Sequence, residues 1–130
     1  MMMALAVAAG AAVGAPCRYL LDRAVQARHE QRFPWGTLVI NLLGSAVLGV
    51  LLGWSTGAGW RGTGLPPSVL AAAGTGWCGA FTTYSTFGYE SVMLARDGFL
   101  LRAVGYVGGS VAGGLVLAAL GVLIGRKLAG

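Results

Sequence analysis

The sequence predicts an all-α integral membrane protein with four transmembrane helices, the third of them broken near its middle. Apolar residues make up 56% of the 130 residues and charged ones 10%, well outside the balance of a water-soluble domain. Four apolar runs, roughly Met3 to Leu21, Trp35 to Trp54, Pro67 to Ala95 and Phe99 to Ile124, stand between charged or proline-bearing breaks. Each can cross a hydrocarbon core about 30 Å thick, which takes about 20 helical residues. The third run is too long for one straight helix and carries a polar interruption. Connections are short and no internal repeat is evident, so residues 1–130 are expected to form one four-helix transmembrane domain.

The formal net charge of +5 does not point to nucleic acid, because the basic residues sit singly or in twos between apolar runs rather than along one face. No Lys or Arg precedes the first apolar run and three more follow it, so a span is expected there rather than a cleaved signal. Cys17 and Cys78 fall in different spans without metal-ligand spacing and read as small buried residues. Lys and Arg in short loops normally collect on the cytoplasmic side. One side here holds Arg61, Arg126 and Lys127, the other Arg23, Arg28, Arg32, Arg96 and Arg102, a bias of three against five. So weak a bias either lets a chain insert both ways up, so that two copies could pair antiparallel, or is the poor signal of a protein with a single orientation.

In the first span Gly10, Gly14, Arg18 and Asp22 recur every fourth residue. Small residues at that spacing let membrane helices approach closely, since the hydrophobic effect does not drive association inside lipid. Arg18 is expected near a membrane boundary with Asp22 one turn on, as an architectural anchor in preference to a role in transport. The second span carries Thr37, Asn41, Ser45, Gly49 and Gly53 on one slowly winding stripe. Trp35 and Trp54 lie about 28 Å apart along such a helix, which suits the two aromatic interface belts. Asn41 within the span needs a partner: either a neighbouring helix or a polar path.

The stretch from Val69 to Ala95 would reach about 40 Å as one helix. Gly74, Gly76 and Gly79 loosen it, while Thr82, Thr83, Ser85 and Thr86 offer hydroxyls to freed backbone groups. Unwound backbone at membrane depth is tolerated only where it is buried in protein or lines a wet cavity, so this break is a candidate site. Its carbonyls would suit an alkali cation, and the half-helix beginning after it would favour a nearby anion. The alternative is a kinked helix with self-satisfied threonines. Tyr84, Phe87 and Glu90 share a face if the second half is helical, and an anion can rest against ring edges and hydroxyl protons. Glu90 is either a functional intramembrane carboxylate or one that snorkels to the boundary. The fourth span places Arg102, Tyr106, Ser110 and Gly114 four apart beside Gly105, Gly109 and Gly113, forming either a polar track or glue between helices.

These segments together resemble the small dual-topology fluoride channels called Fluc or CrcB. The resemblance covers essentially the whole chain and rests on GAPCRYL from Gly14 to Leu20, PWGTLVINLLGS from Pro34 to Ser45, GWCGAFTTYSTFGYE from Gly76 to Glu90, and the Tyr106/Ser110 seam. It implies an antiparallel dual-topology dimer in the cell's inner or plasma membrane, of two identical chains or of this chain with a related subunit. Two fluoride pores and a structural sodium ion at the dimer centre are implied with it. Main-chain carbonyls of Gly79 and Thr82 would hold the sodium, Asn41 would contact fluoride, and Tyr84 and Phe87 would form the aromatic box, with Ser85 and Thr86 beside them. Tyr106 and Ser110 would begin the polar track, and Glu90 would stand close to the pore. This sequence departs from the pattern at Tyr84, where Phe is usual, and at Gly114, where a further hydroxyl often stands.

The implied activity is that of a passive channel and not an enzyme. Hydrogen fluoride crosses lipid neutral and dissociates in a near-neutral cytoplasm, and an inside-negative membrane drives the anion out with about 2.3 kcal/mol per 100 mV. A narrow dehydrated path lined by donors would supply selectivity. The rival reading, a small multidrug or guanidinium exporter, relies on an embedded carboxylate in the first helix, where this chain has only the terminal Asp22. A holin-type pore would leave the ordered polar stripes without a purpose.

Overall fold

The computed structural model describes residues 1–57 and 65–130; Arg61, counted above in the second loop, lies outside the described residues. Helix α1 spans Met2–Gln26, continuing past the expected end near Leu21 because nothing from Asp22 to Gln26 breaks a helix. Its open carbonyls are met by side chains just beyond: Arg28 donates to Ala24 O at 3.2 Å, and His29 Nδ1 lies 2.8 Å from Val25 O. Helix α2 spans Trp35–Gly57, directly after Pro34. Its first turn is anchored to the end of α1, where Gly36 N–H donates to Gln26 Oε1 at 3.3 Å and the Asp22 carboxylate packs against Gly36.

The third apolar run is divided. Helix α3 is composite, α-helical over Pro67–Leu70, π-helical over Ala71–Cys78 and α-helical again over Gly79–Phe81. Thr82 then turns extended, with φ −81° and ψ 164°, and ends it. Helix α4, Ser85–Arg96, resumes after the break and closes at Gly98, whose φ of 88° favours glycine. Helix α5, Leu100–Ala129, starts one residue after Phe99 and runs past the expected end at Ile124. By length and composition α1, α2 and α5 are each able to cross a membrane. Neither half of the third run does so alone, which follows from the break.

Close backbone contact holds these helices together. A Cβ at Gly49 or Gly53 of α2 would be driven into the carbonyl of Ala118 or Val122 on α5, and one at Gly121 or Gly125 would strike Ala46 or Val50 in return. Helix α1 meets the π-helical segment in the same way, with Gly10 against Ala72 and Gly76 against Val7. The α2 stripe thus has two parts: its polar members Thr37, Asn41 and Ser45, and its glycines, which seat α5. Gly105 and Gly109, small residues in the same helix, meet nothing within 4 Å and lie on an outer face of the chain.

Helices α4 and α5 pack through Leu94, Ala103 and the fully buried Tyr106, joined by Phe33, Leu38, Phe87 and Phe99. Beside this cluster the first and third loops meet: Arg102 pairs with Glu30 at 3.0 Å, and Arg32 and Arg102 both lie over the Phe99 ring. Elsewhere α5 turns Leu101, Val104, Leu115 and Val116 outward, as a chain solvated by hydrocarbon does.

A candidate ion pathway at the helix break

The break between α3 and α4 is held open by a side chain from another helix. Asn41 Nδ2 donates to Thr83 O at 2.9 Å, and Thr83 N–H donates to Asn41 Oδ1 at 2.9 Å. Both backbone groups of Thr83 are thereby satisfied away from water, and the bond that Thr83 N–H would otherwise return to Gly79 O is not made. Thr82 N–H and Thr82 Oγ1 both go to Cys78 O, at 2.9 and 2.8 Å. Thr83 Oγ1 donates to Thr86 Oγ1 at 3.1 Å and accepts from Thr86 N–H at 3.4 Å, so that amide does not return to Thr82 O.

Among the described residues, then, neither Gly79 O nor Thr82 O accepts a hydrogen bond. Two main-chain oxygens left open on an exposed turn are hard donors of the kind an alkali cation takes, so the donor set fits sodium chemically. The Thr82 hydroxyl donates to Cys78 O and keeps its lone pairs.

Six of the residues singled out in the sequence, Asn41, Gly79, Thr82, Tyr84, Phe87 and Ser110, line one open cleft of about 510 Å³. Tyr84 is 85% exposed at its mouth. The Phe87 ring lies deeper, with its centroid 6.0 Å from that of Tyr84 and 5.3 Å from that of Tyr106. Ser110 Oγ is buried and has no hydrogen-bond partner among the described residues. Among the described residues no Lys, Arg, Asp or Glu lines the cleft.

On the far side of Phe87 stands a carboxylate held at both oxygens. Thr37 Oγ1 donates to Glu90 Oε1 at 3.1 Å and Tyr106 OH donates to Glu90 Oε2 at 2.9 Å. Glu90 also lines a second, more polar cleft of about 270 Å³ with Asp22, Gln26, Arg32, Tyr89 and Asp97. Phe87 thus lines one cleft and Glu90 the other, with the buried Tyr106 in contact with both residues.

Three further placements complete the picture. Ser85 and Thr86 are exposed on the first turn of α4, tied to the Thr83 hydroxyl, and line neither cleft. Arg18 is half-buried on α1 and makes no ion pair with Asp22, whose carboxylate turns to Gly36 at the start of α2 instead. Asn41, open to either reading above, spends one donor and its acceptor on the neighbouring break and keeps one N–H for the cleft. Two further residues matter. Thr37 was visible as the head of the α2 stripe, whereas nothing local distinguished Thr83 from the hydroxyls beside it.

The fold and this site define a multi-pass helical membrane protein with a polar route built at a broken helix. A family model described as CrcB-like protein, Camphor Resistance (CrcB), matches residues 5–122. A relative from Frankia casuarinae named Fluoride-specific ion channel FluC 1 is 48% identical over 97% of this chain and 98% of its own. One of the same name from Streptomyces avermitilis is 49% identical over 95% and 96%, and Fluoride-specific ion channel FluC from Chloroflexus aurantiacus is 45% identical over 97% of each chain. The chain belongs to the CrcB family.

Proposed function

We propose that this chain is a passive, fluoride-selective channel that lets cytoplasmic fluoride leave the cell. The observation that carries the reading is the row of hydroxyl and amide donors about the Phe87 ring: Asn41 and Ser110 line the larger cleft before it, and Tyr106 and Thr37 hold Glu90 behind it, ahead of the charged second cleft with its Arg32. Fluoride only accepts hydrogen bonds, and the neutral donors and ring edge of the larger cleft offer it replacements for water with no described cation there to trap it. The names of the relatives point the same way.

Within this reading an arriving fluoride competes with Glu90 for the protons of Tyr106 and Thr37. The carboxylate swings toward the second cleft as the ion takes its two donors, and returns when the ion leaves. Driving force comes from the membrane potential, about 2.3 kcal/mol per 100 mV for each charge.

The open carbonyls of Gly79 and Thr82 support a sodium ion shared by two antiparallel copies, or by this chain and a related subunit. Such an ion would fix the cleft mouths as a structural element and take no part in transport.

The test is efflux from fluoride-loaded liposomes containing this chain alone, followed with a fluoride electrode. Rapid fluoride release without chloride release is the expected result. Liposomes that retain their fluoride would sink the reading.

A further inference from the structure

Mid-helix serine and threonine hydroxyls commonly bond back to a carbonyl one turn earlier, as Thr56, Thr82 and Ser91 do here at 2.9, 2.8 and 2.7 Å. Ser45 and Ser110 do not. Among the described residues neither hydroxyl has a hydrogen-bond partner, and both line the larger cleft.

Their placement gives the route a direction. Asn41 and Ser45 are one turn apart on α2, and Ser110 and Gly114 are one turn apart on α5. The two pairs face each other: a Cβ built at Gly114 would come 3.4 Å from Ser45 Oγ, an ordinary contact. Beyond this point the same cleft continues to Leu48, Gly74 and Thr75. Helix α5 therefore offers no side chain at the level where the next donor after Ser110 is needed, and the space its glycine leaves is faced by a hydroxyl from α2.

We infer that Ser45 is a fluoride-contacting residue, taking the ion from Ser110 and carrying the route across from α5 to α2 toward the Leu48–Thr75 end of the cleft. This rests on the channel reading above. Ser45 donates its proton to the ion, which its unspent hydroxyl and the absence of any lining charge permit. Gly114 is the complement of Ser45: at this level α5 carries no hydroxyl, and the one that faces the position comes from α2.

The experiment is a four-variant liposome efflux series. Ser45→Ala should slow fluoride release about tenfold, as expected for one lost hydrogen bond to an ion, while Ser45→Thr, which keeps the hydroxyl, stays within about threefold of the parent chain. Ser45→Ala combined with Gly114→Ser should recover most of the lost rate, because a serine on α5 then fills the same gap, and Gly114→Ser alone should remain active. Parent rates in Ser45→Ala, or a double variant no faster than Ser45→Ala, would overturn the assignment. A parent chain that passes no fluoride would instead remove the channel reading beneath it. Size-exclusion profiles matching the parent separate a lost contact from a lost fold, and the Thr variant and the rescue remain decisive if Ser45→Ala is poorly folded.

Discussion

Asn41 offers one carboxamide to both the N–H and the C=O of Thr83, replacing the helical bonds that Thr83 gives up. Asn41→Ala should therefore cost about 1–3 kcal/mol for each of the two orphaned backbone groups, beyond any effect on the ion. Asn41→Asp keeps the acceptor for Thr83 N–H but sets an oxygen against Thr83 O and a carboxylate inside the span, so thermal unfolding in detergent should rank the parent above both variants. Thr82→Ala removes a hydroxyl bonded to Cys78 O and leaves the Thr82 carbonyl in place. It should be mild, and a specific loss of sodium binding in that variant would move the ligand from main chain to hydroxyl. Phe87→Ile keeps apolar bulk but removes the ring edge beside Tyr106. Fluoride efflux should nearly vanish while the size-exclusion profile stays that of the parent; normal flux would reduce the ring to packing. The candidates Asn41, Phe87, Glu90 and Ser110 were readable because a polar or aromatic residue inside an apolar run demands a reason. Their pairing was not, because the bond between positions 41 and 83 depends on how two helices cross, which local spacing does not encode.

Among the elements, α2 and α5 test how lipid-embedded helices hold together. Their glycines meet backbone directly, so Gly125→Val must push Val50 and Trp54 away from α5 and should cost about 1–3 kcal/mol or more. Gly109→Val, on the same helix but facing nothing within the chain, should leave the monomer's unfolding unchanged. A loss of self-association in Gly109→Val alone would mark that face as the contact with a second copy. The four-residue repeat made the stripes legible, since small residues inside lipid have few uses other than close approach. It did not separate Gly121 and Gly125, which pack, from Gly105 and Gly109, which do not. Nor did AAAGTGWC announce a π-helical turn, because its small residues permit a wide helix without requiring one.

For the whole molecule, the weak charge bias remains the feature with the largest consequence. If two copies pair antiparallel, a reporter fused to the C-terminus should be found on both sides of the membrane; one side only would require a partner of opposite fixed orientation. The all-helical architecture and the broken third run followed from apolar length, as hydrocarbon permits little else. The pairing of whole chains leaves no comparable mark, because outward-facing glycines and apolar side chains suit lipid and a second copy equally.

The clasp between Asn41 and Thr83 also has a history within biogenesis. Helix α2 leaves the ribosome well before residue 83, so its carboxamide enters the bilayer with no complement. When the TTYSTF segment follows, its exposed amides are the costliest part of the chain to leave among lipid tails. The clasp can therefore close only once the third run lies beside α2, and α5, which brings Tyr106 and Ser110, still has to follow.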